Sequence, residues 1–505
     1  MNNTKRNIMI GEIDKVIGIL LPFIVRTMMI HLMGAQYLGL TSLYYSIMQM
    51  LNLMEMGFGT AIIYSMYQPI ADNDTKMINA LLKYYAKIYR VVGIMIVVVG
   101  LGMTFLLPGM IKEGIPDHVN IYVVYYIFLF NSCLNCFLFP NRRALLSGYQ
   151  REDILGRKHI IAQILLYGGQ MLSIYLAQSY YLYVIMIPAF TVIYALLCAK
   201  ESKKLFGDYR EEGELPPDMQ RNLRKQVIGL VLRKLATYSR NTFDSMFISA
   251  CLGLEIVAIY GNYYYIMDAV AMILAVIKTS MAGGVGNSIA LDSEQKNHED
   301  MNRINYLYMV ISGWCAICLL CLYQPFMRLW VGEKMLMPMY IAAFFALYFY
   351  ILKMSDIRTL YSESVGIWWQ GRYLSIAEAI ANIVLNALFV RWMGVFGILL
   401  ATMISYTIFN FIGGAIVLYR YYFNRMSVVS HLLSHLRYGV ITLVVAVVTY
   451  WTTTFVSVSG LPELILKSVI CIIVPGVLYF VLYFKTADYR NSIFLVKDVL
   501  KIGKK

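Results

Sequence analysis

Charge is what this chain has least of. Asp, Glu, Lys and Arg make up 14% of its 505 residues, against about 25% in a soluble globular protein. The depletion runs along the whole length, which excludes a soluble body carrying a single anchor. Period-two alternation is missing as well. Stretches such as 94–107 and 441–450 are continuously apolar, whereas a membrane β-barrel alternates over segments of about 10 residues. Residues 1–10 show no cleavable signal and no small-residue cleavage pattern follows 16–33, so the first apolar stretch is expected to be a retained helix. No Walker-type phosphate loop occurs, which argues against direct drive by ATP. The expected external loops are short and hold no acid–base constellation with His, which argues against a membrane polymerase or ligase.

Cysteine is present but chemically quiet. Cys133, Cys136, Cys198, Cys251, Cys315, Cys318, Cys321 and Cys471 all lie inside apolar segments. The three-residue steps of Cys133/Cys136 and Cys315/Cys318/Cys321 suggest metal or redox chemistry. No His cluster accompanies them, and a thiolate is costly in lipid. They read as small apolar fillers, so no metal, cofactor or catalytic group is expected.

What is there is a succession of apolar segments at 12–33, 37–66, 78–108, 119–147, 156–177, 180–199, 226–251, 255–290, 301–326, 337–363, 372–392, 395–422, 435–455 and 464–485. Crossing a bilayer takes roughly 20 apolar residues. The expected fold class is an all-α polytopic membrane protein with about 14 transmembrane helices.

The loops carry the orientation. Connections after odd-numbered segments are almost free of Lys and Arg. Those after even-numbered segments hold Lys76 and Lys83, then Arg142, Arg143, Arg151, Arg157 and Lys158, then Arg420 and Arg425. The positive-inside rule puts those loops and both termini in the cytoplasm of a bacterial inner membrane. The net charge of +14 is then an orientation device, and nucleic acid is not an expected partner.

An internal repeat divides the segments. At a shift of about 219, Met33-Gly34-x-x-Tyr37-Leu38-Gly39-Leu40 falls on Leu252-Gly253-x-x-Ile256-Val257-Ala258-Ile259, and Tyr44-Tyr45 on Tyr263-Tyr264. At a shift of 215, Arg143-x-Leu145-x-Ser147 falls on Arg358-x-Leu360-x-Ser362. Both copies start on the same side, so the repeat is parallel: two six-helix lobes around a central cleft, an architecture of transporters. The expected divisions are a first lobe at 1–205, a polar cytoplasmic linker at 206–225, a second lobe at 226–425, and two further helices with a basic tail at 426–505.

At this point the sequence resembles the multidrug/oligosaccharidyl-lipid/polysaccharide exporter superfamily, in its polysaccharide-transporter branch of Wzx-like flippases. The residues that carry the likeness are Arg26 with Leu32-x-Gly34-x-x-Tyr37-Leu38-Gly39-Leu40, Glu55-x-Gly57-x-Gly59, Ile62-x-x-x-Met66-Tyr67-x-Pro69, Arg240-x-x-x-Asp244 and Gly253 with Tyr260. The resemblance implies two six-helix bundles, often with two more helices, working by alternating access. It implies an undecaprenyl-diphosphate-linked oligosaccharide as cargo, moved to the periplasmic leaflet for O-antigen, capsule or exopolysaccharide synthesis. Other polysaccharide-assembly proteins would be partners and the unit a monomer. A cation-coupled multidrug exporter of the same superfamily is the alternative, although such exporters usually have 12 helices. Coupling to protons, sodium or the membrane potential stays open.

An ionisable group near the bilayer midplane costs about 2.5–3.5 kcal/mol even on insertion scales, so each one faces a cavity or a partner. Arg26, Glu55, Arg240, Asp244, Asp268, Lys278, Lys353, Asp356 and Glu378 are of this kind. Arg26 and Asp244 fall one position out of register in the repeat. The expectation is that Arg26 meets the diphosphate through its planar fork and that Asp244 holds it when the site is empty. The plainer reading is an ion pair that fixes packing. Glu378, Asn382 and Asn386 share one helical face, either lining the path to bond sugars or holding two helices together. Arg143 and Arg358, related by the repeat, are candidates for diphosphate capture at the cytoplasmic side, where orientation alone also calls for arginines.

Overall fold

The computed structural model describes residues 3–53, 55–367 and 369–492, without the side chains of some helical positions such as Glu55. The described residues form helices and no strand. Two compact units part at Ala258/Ile259.

The first unit contains α1 (Asn3–Leu32), α2 (Ala35–Leu51), α3 (Glu55–Ala71), α4 (Thr75–Met103), the single turn α5 (Leu107–Met110), α6 (Ile121–Phe137), α7 (Pro140–Gly148), α8 (Glu152–Tyr175), α9 (Tyr180–Leu205) and α10 (Pro217–Leu252). Helix α1 packs on α8, which packs on α9, while α10 lies against α2 and α3. Starts are capped where the sequence supplies an acceptor. Asp74 takes the Met77 amide at 2.9 Å and Ser179 the Leu182 amide at 3.4 Å, as helix N-termini require.

The second unit holds most of α11 (Leu254–Leu291), then α12 (Glu294–Val331), α13 (Met339–Lys353), α14 (Asp356–Val365), α15 (Arg372–Ser405), a π-helical segment at Tyr406–Gly413, α16 (Gly414–Tyr421), α17 (Val428–Thr454) and α18 (Leu461–Tyr483). Helix α15 is two spans joined by a kink at Gly394, whose φ of 58° and ψ of −136° are not helical. The Asn382–Thr402 hydrogen bond, 3.0 Å, crosses between its two arms. Helices α17 and α18 pack on α12. Trp314 Nε1 donates to the Cys471 carbonyl at 2.7 Å and Tyr479 Oη donates to Thr442 Oγ1 at 3.0 Å.

Among the described residues eight helices are long and apolar enough to cross a membrane, and the pair α6/α7, bent by 52°, counts as a ninth if it is one span. Large apolar side chains face outward: Trp392 is 89% exposed and Phe105 87%. In water this would be an aggregating surface; in lipid it is the expected one.

The element order repeats. Gly34 and Gly253, 219 positions apart, both take positive φ (120° and 93°) between the first and second spans of a copy. Gly114 and Gly332 match at 85° and 82°, and Gln178 and Gly394 at 46° and 58°. The helix broken at Leu138–Phe139 has its counterpart in the one broken at Met354–Ser355.

Four segments differ from expectation. The segment expected as one helix over 37–66 is interrupted between Leu51 and Glu55. Segments 119–147 and 337–363 are each broken, the first where Phe139 adopts a left-handed conformation before Pro140, because the residue before proline avoids the α region. Part of the polar stretch 206–225 is already helical, since α10 starts at Pro217, a good first helical residue.

Close approach fixes one contact tightly. A Cβ on Gly39 would lie 1.9 Å from the Leu254 carbonyl oxygen, backbone against backbone. Gly39→Ala should therefore destabilise by about 1–3 kcal/mol, the cost of overpacking. Gly11→Ala, in open space on α1, should be neutral or gain up to ~1 kcal/mol of helix propensity. Thermal melts of both variants in detergent check this contrast.

Candidate functional site

The candidate residues fall into three groups, each contained in one unit.

In the first unit, Arg26 sits half-buried midway along α1, four residues after Pro22. Its charge acts on the Tyr183 hydroxyl of α9. Tyr183 stacks on Tyr180 (ring centroids 5.9 Å), and Tyr180 meets Tyr37 edge-on at 5.1 Å. The Tyr180 hydroxyl lies 2.9 Å from Thr41 Oγ1. Tyr45, 47% exposed, packs on Phe128 at 5.1 Å. A guanidinium beside a bank of phenol rings can bind an oxyanion through its fork and a hydroxylated ring through stacking and hydrogen bonds. Arg240 and Asp244 are buried one turn apart on α10, 8% and 0% exposed. Between them Thr242 donates to Gln49 Oε1 of α2 at 3.5 Å. The Glu55 side chain lies outside the described residues.

Arg143 is on α7, just past the break in its span. Its Nη2 donates to the Asn135 carbonyl at 2.8 Å, and its guanidinium carbon lies 5.9 Å from the Tyr194 ring centre.

The second unit joins residues that are scattered in sequence. Arg358, 7% exposed, donates through Nη2 to the Asn410 side-chain oxygen at 2.8 Å and to its carbonyl at 3.1 Å. Asn410 Nδ2 then donates to Glu378 Oε2 at 3.2 Å. Asn410 thus bridges a buried cation and a buried anion. Below Glu378, Asn386 donates to Asn382 at 3.3 Å, and Asn382 to Thr402 at 3.0 Å. The guanidinium lies flat on Gly414: a Cβ there would be 2.5 Å from Nη1. The second cluster centres on Asp356, which accepts from Tyr308 Oη at 2.5 Å and Lys353 Nζ at 3.1 Å. Lys278 Nζ stands 3.8 Å from its other oxygen. Lys353 also acts on Asp268. Four of the charges singled out in sequence, Asp268, Lys278, Lys353 and Asp356, are therefore one cluster.

A third group lies at the start of α8, outside its apolar part. Asp153 is fully buried among Arg6 (2.9 Å), Arg151 (3.0 Å) and Arg157 (2.7 Å). Its amide donates to Asn7 Oδ1 at 2.9 Å, tying the start of α1 to α8. Burial raises the pKa of its carboxyl, but the hydrogen bonds from Arg151 and Arg157 and the charges of Arg151 and Arg6 outweigh it and hold the group below the usual carboxylate range.

Sequence reasoning missed Asn410, Tyr308, Asp153 and the histidines of α17. A signal existed for Asn410: it precedes Gly413-Gly414 in an apolar segment, and glycines there mark a close approach.

Two measurements probe these groups. Asn410→Leu keeps the volume but unlinks Arg358 from Glu378, and should cost about 1–3 kcal/mol of stability, seen as a lower melting temperature than for Asn424→Leu, an exposed control. Because the folded pKa of Asp153 is depressed, its stabilisation is complete above the unfolded value near 4 and is lost as pH falls through the lower folded value. Asp153→Asn should remove on the order of 3 kcal/mol at neutral pH and flatten that acid dependence in a pH series of melts.

No protein-family model matches the sequence, and a search among curated proteins finds no match. Solved structures do match. The lipid II flippase MurJ in an inward closed conformation superposes with a TM-score of 0.65 at 14% identity, over 94% of this chain and 99% of that one. An inward-facing multidrug resistance MATE family transporter of the MOP superfamily gives 0.64 at 12% identity, over 79% and 94%. A MOP superfamily transporter from Pyrococcus furiosus, whose binding pocket is described as having reverse polarity, gives 0.57 at 11%, over 83% and 95%. At these identities the likeness is one of fold, and the fold is that of polytopic membrane transporters and flippases.

Proposed function

We propose that this protein is a flippase of lipid-linked oligosaccharides. It would move undecaprenyl-diphosphate-linked glycan units from the cytoplasmic to the periplasmic leaflet of a bacterial inner membrane by alternating access, for surface polysaccharide synthesis. The observation that carries this reading is the pairing of Arg26 with the tyrosines of α2 and α9. A diphosphate needs a fork of donors, and pyranose rings need flat, hydrogen-bonding surfaces. A lipophilic drug cation would meet repulsion from the same arginine. The extent of the MurJ likeness supports the reading too, because at 94% it leaves too few residues unmatched to omit α17 and α18. The MATE match spans 79%.

Asp244, buried on α10, is proposed as the acidic group that accepts Arg26 when no diphosphate is bound. Arg143 and Arg358 are proposed to hold the broken fourth and tenth spans in shape, with diphosphate capture left to groups nearer the surface.

The test uses the full chain in liposomes containing a fluorescent undecaprenyl-diphosphate amino sugar. Transfer is read as loss of dithionite protection. The wild type should scramble or transport the probe, and Arg26→Ala should slow it by about 10–100-fold, the worth of a hydrogen bond to a charged group. Asp244→Asn should also slow it. Transport of ethidium under a proton or sodium gradient with no lipid transfer would overturn the reading in favour of drug export.

A further inference from the structure

Arg6, Arg151 and Arg157 converge on one carboxylate, Asp153, where α1 meets the start of α8. Two devices bring them together. Asn7 Nδ2 donates to the Gln150 carbonyl at 3.0 Å while its Oδ1 accepts the Asp153 amide at 2.9 Å, which sets α1 in register with the turn between α7 and α8. Gly156 lets the helices close, since a Cβ there would lie 2.7 Å from Ile10 Cγ2. Both carboxylate oxygens are taken. Oδ1 accepts from Arg151 Nε at 3.0 Å, and Oδ2 accepts from Arg157 Nη2 at 2.7 Å and lies 2.9 Å from Arg6 Nε. Three guanidiniums against one carboxylate leave a surplus of two positive charges. The carboxylate is buried, whereas the side chains of Arg157 and Arg6 are 54% and 30% exposed. Asp153 therefore holds like charges side by side at the surface, where alone they would repel.

The other charges at this end do not cancel the surplus. Lys158 pairs with Glu201 at 3.1 Å. Glu152, which accepts from Ser147 Oγ, and Asp14, 2.8 Å from His159, are matched by Lys200 and Lys204, whose charges both act on Glu201.

Both helices carry an apolar stripe that begins at this cluster. On α1, Arg6 is followed at steps of three and four by Met9, Ile13 and Val16. On α8, Arg157 is followed in the same way by Ile161, Ile164 and Leu165. Such steps keep one helix face, and all six apolar residues are 44–53% exposed. Helices α1 and α8 pack on each other, so the two stripes lead away from a shared cationic head. That pattern matches an amphiphile, with a phosphate on the guanidiniums and its chain on the stripes. Basic pockets between membrane helices take phosphate headgroups in this way, and the arginine fork suits phosphate oxygens. A diphosphate diester carries one negative charge on each of two adjacent phosphates, which matches the surplus. A phosphatidylglycerol headgroup brings only one.

We propose that Arg6, Arg151 and Arg157 form a docking site for the diphosphate headgroup of an isoprenoid lipid, whose chain lies along the stripes of α1 and α8. The proposal rests on the flippase reading for the identity of this lipid and for placing the site in the cytoplasmic leaflet. Arg26 stands on the same helix, 20 positions from Arg6, or about 30 Å along the axis. Helix α1 thus carries a docking arginine near its start and the transport-site arginine further in. The positive-inside rule asks only for charge here, and lysine meets it as well as arginine. A diphosphate asks for the fork.

The full chain in phosphatidylcholine nanodiscs supplies the test, with the fluorescent undecaprenyl-diphosphate amino sugar as probe and p-benzoylphenylalanine in place of Ile161. Irradiation should attach the probe to the protein. The same group in place of Leu436, 63% exposed and about as far along α17, should capture about 10-fold less. An excess of unlabelled undecaprenyl diphosphate should suppress capture at position 161, and equal amounts of phosphatidylglycerol or cardiolipin should not. Arg151→Lys with Arg157→Lys keeps every charge and should lower capture about 10-fold, the worth of a hydrogen bond to a charged group. Thermal melts of that variant, and of Arg157→Lys alone, separate lost binding from lost fold. Equal capture at positions 161 and 436, or undiminished capture in the lysine variants, would overturn the site. Equal suppression by phosphatidylglycerol or cardiolipin would assign it to ordinary anionic lipid and overturn the diphosphate assignment. Capture at position 161 by a chain that never transfers the probe would keep the site and sink the flippase reading. Transfer without capture there would sink the site alone.

Discussion

Hydrocarbon offers a polar group no water, so every guanidinium, carboxylate and amide brought into it must find its partner within the protein. In the second unit that demand converges on Arg358. Its guanidinium needs acceptors, and Asn410 supplies two. It also needs room, which the missing side chain of Gly414 leaves. Asn410 in turn satisfies Glu378 on the other arm of the α15 hairpin. The break between α13 and α14, the π-helical segment and the kink at Gly394 are thus parts of one arrangement.

The first unit answers the same demand with different chemistry. Arg143, the repeat partner of Arg358 in sequence, reaches toward α9, where it meets the ring of Tyr194. The backbone frame is duplicated down to the positive-φ residues at Gly34 and Gly253, Gly114 and Gly332, and Gln178 and Gly394. Upon that common frame the first half carries one midspan arginine among tyrosines, and the second a cluster of lysines, carboxylates and histidines.

The appended helices fit the same division. Helices α17 and α18 seat on α12 through small residues and side-chain hydrogen bonds: a Cβ on Gly313 would meet the Tyr479 hydroxyl at 2.3 Å. They bring His431 and His435 beside Arg358. Their outer faces are strongly apolar, with Ile472 62% and Val481 63% exposed, as lipid contact requires.

Composition and periodicity were enough to establish an all-helical membrane chain. That follows from a local quantity, apolar length against bilayer thickness. Several of the buried charges were legible too, since an ionisable residue in an apolar run is conspicuous wherever it falls. Their partners were not. Lys278 lies 78 positions from Asp356, and Arg358 reaches Glu378 only through an asparagine that looks unremarkable in sequence. Hydropathy is additive along the chain and survives without a structure. Pairing depends on which helix faces meet, and tertiary packing alone decided that.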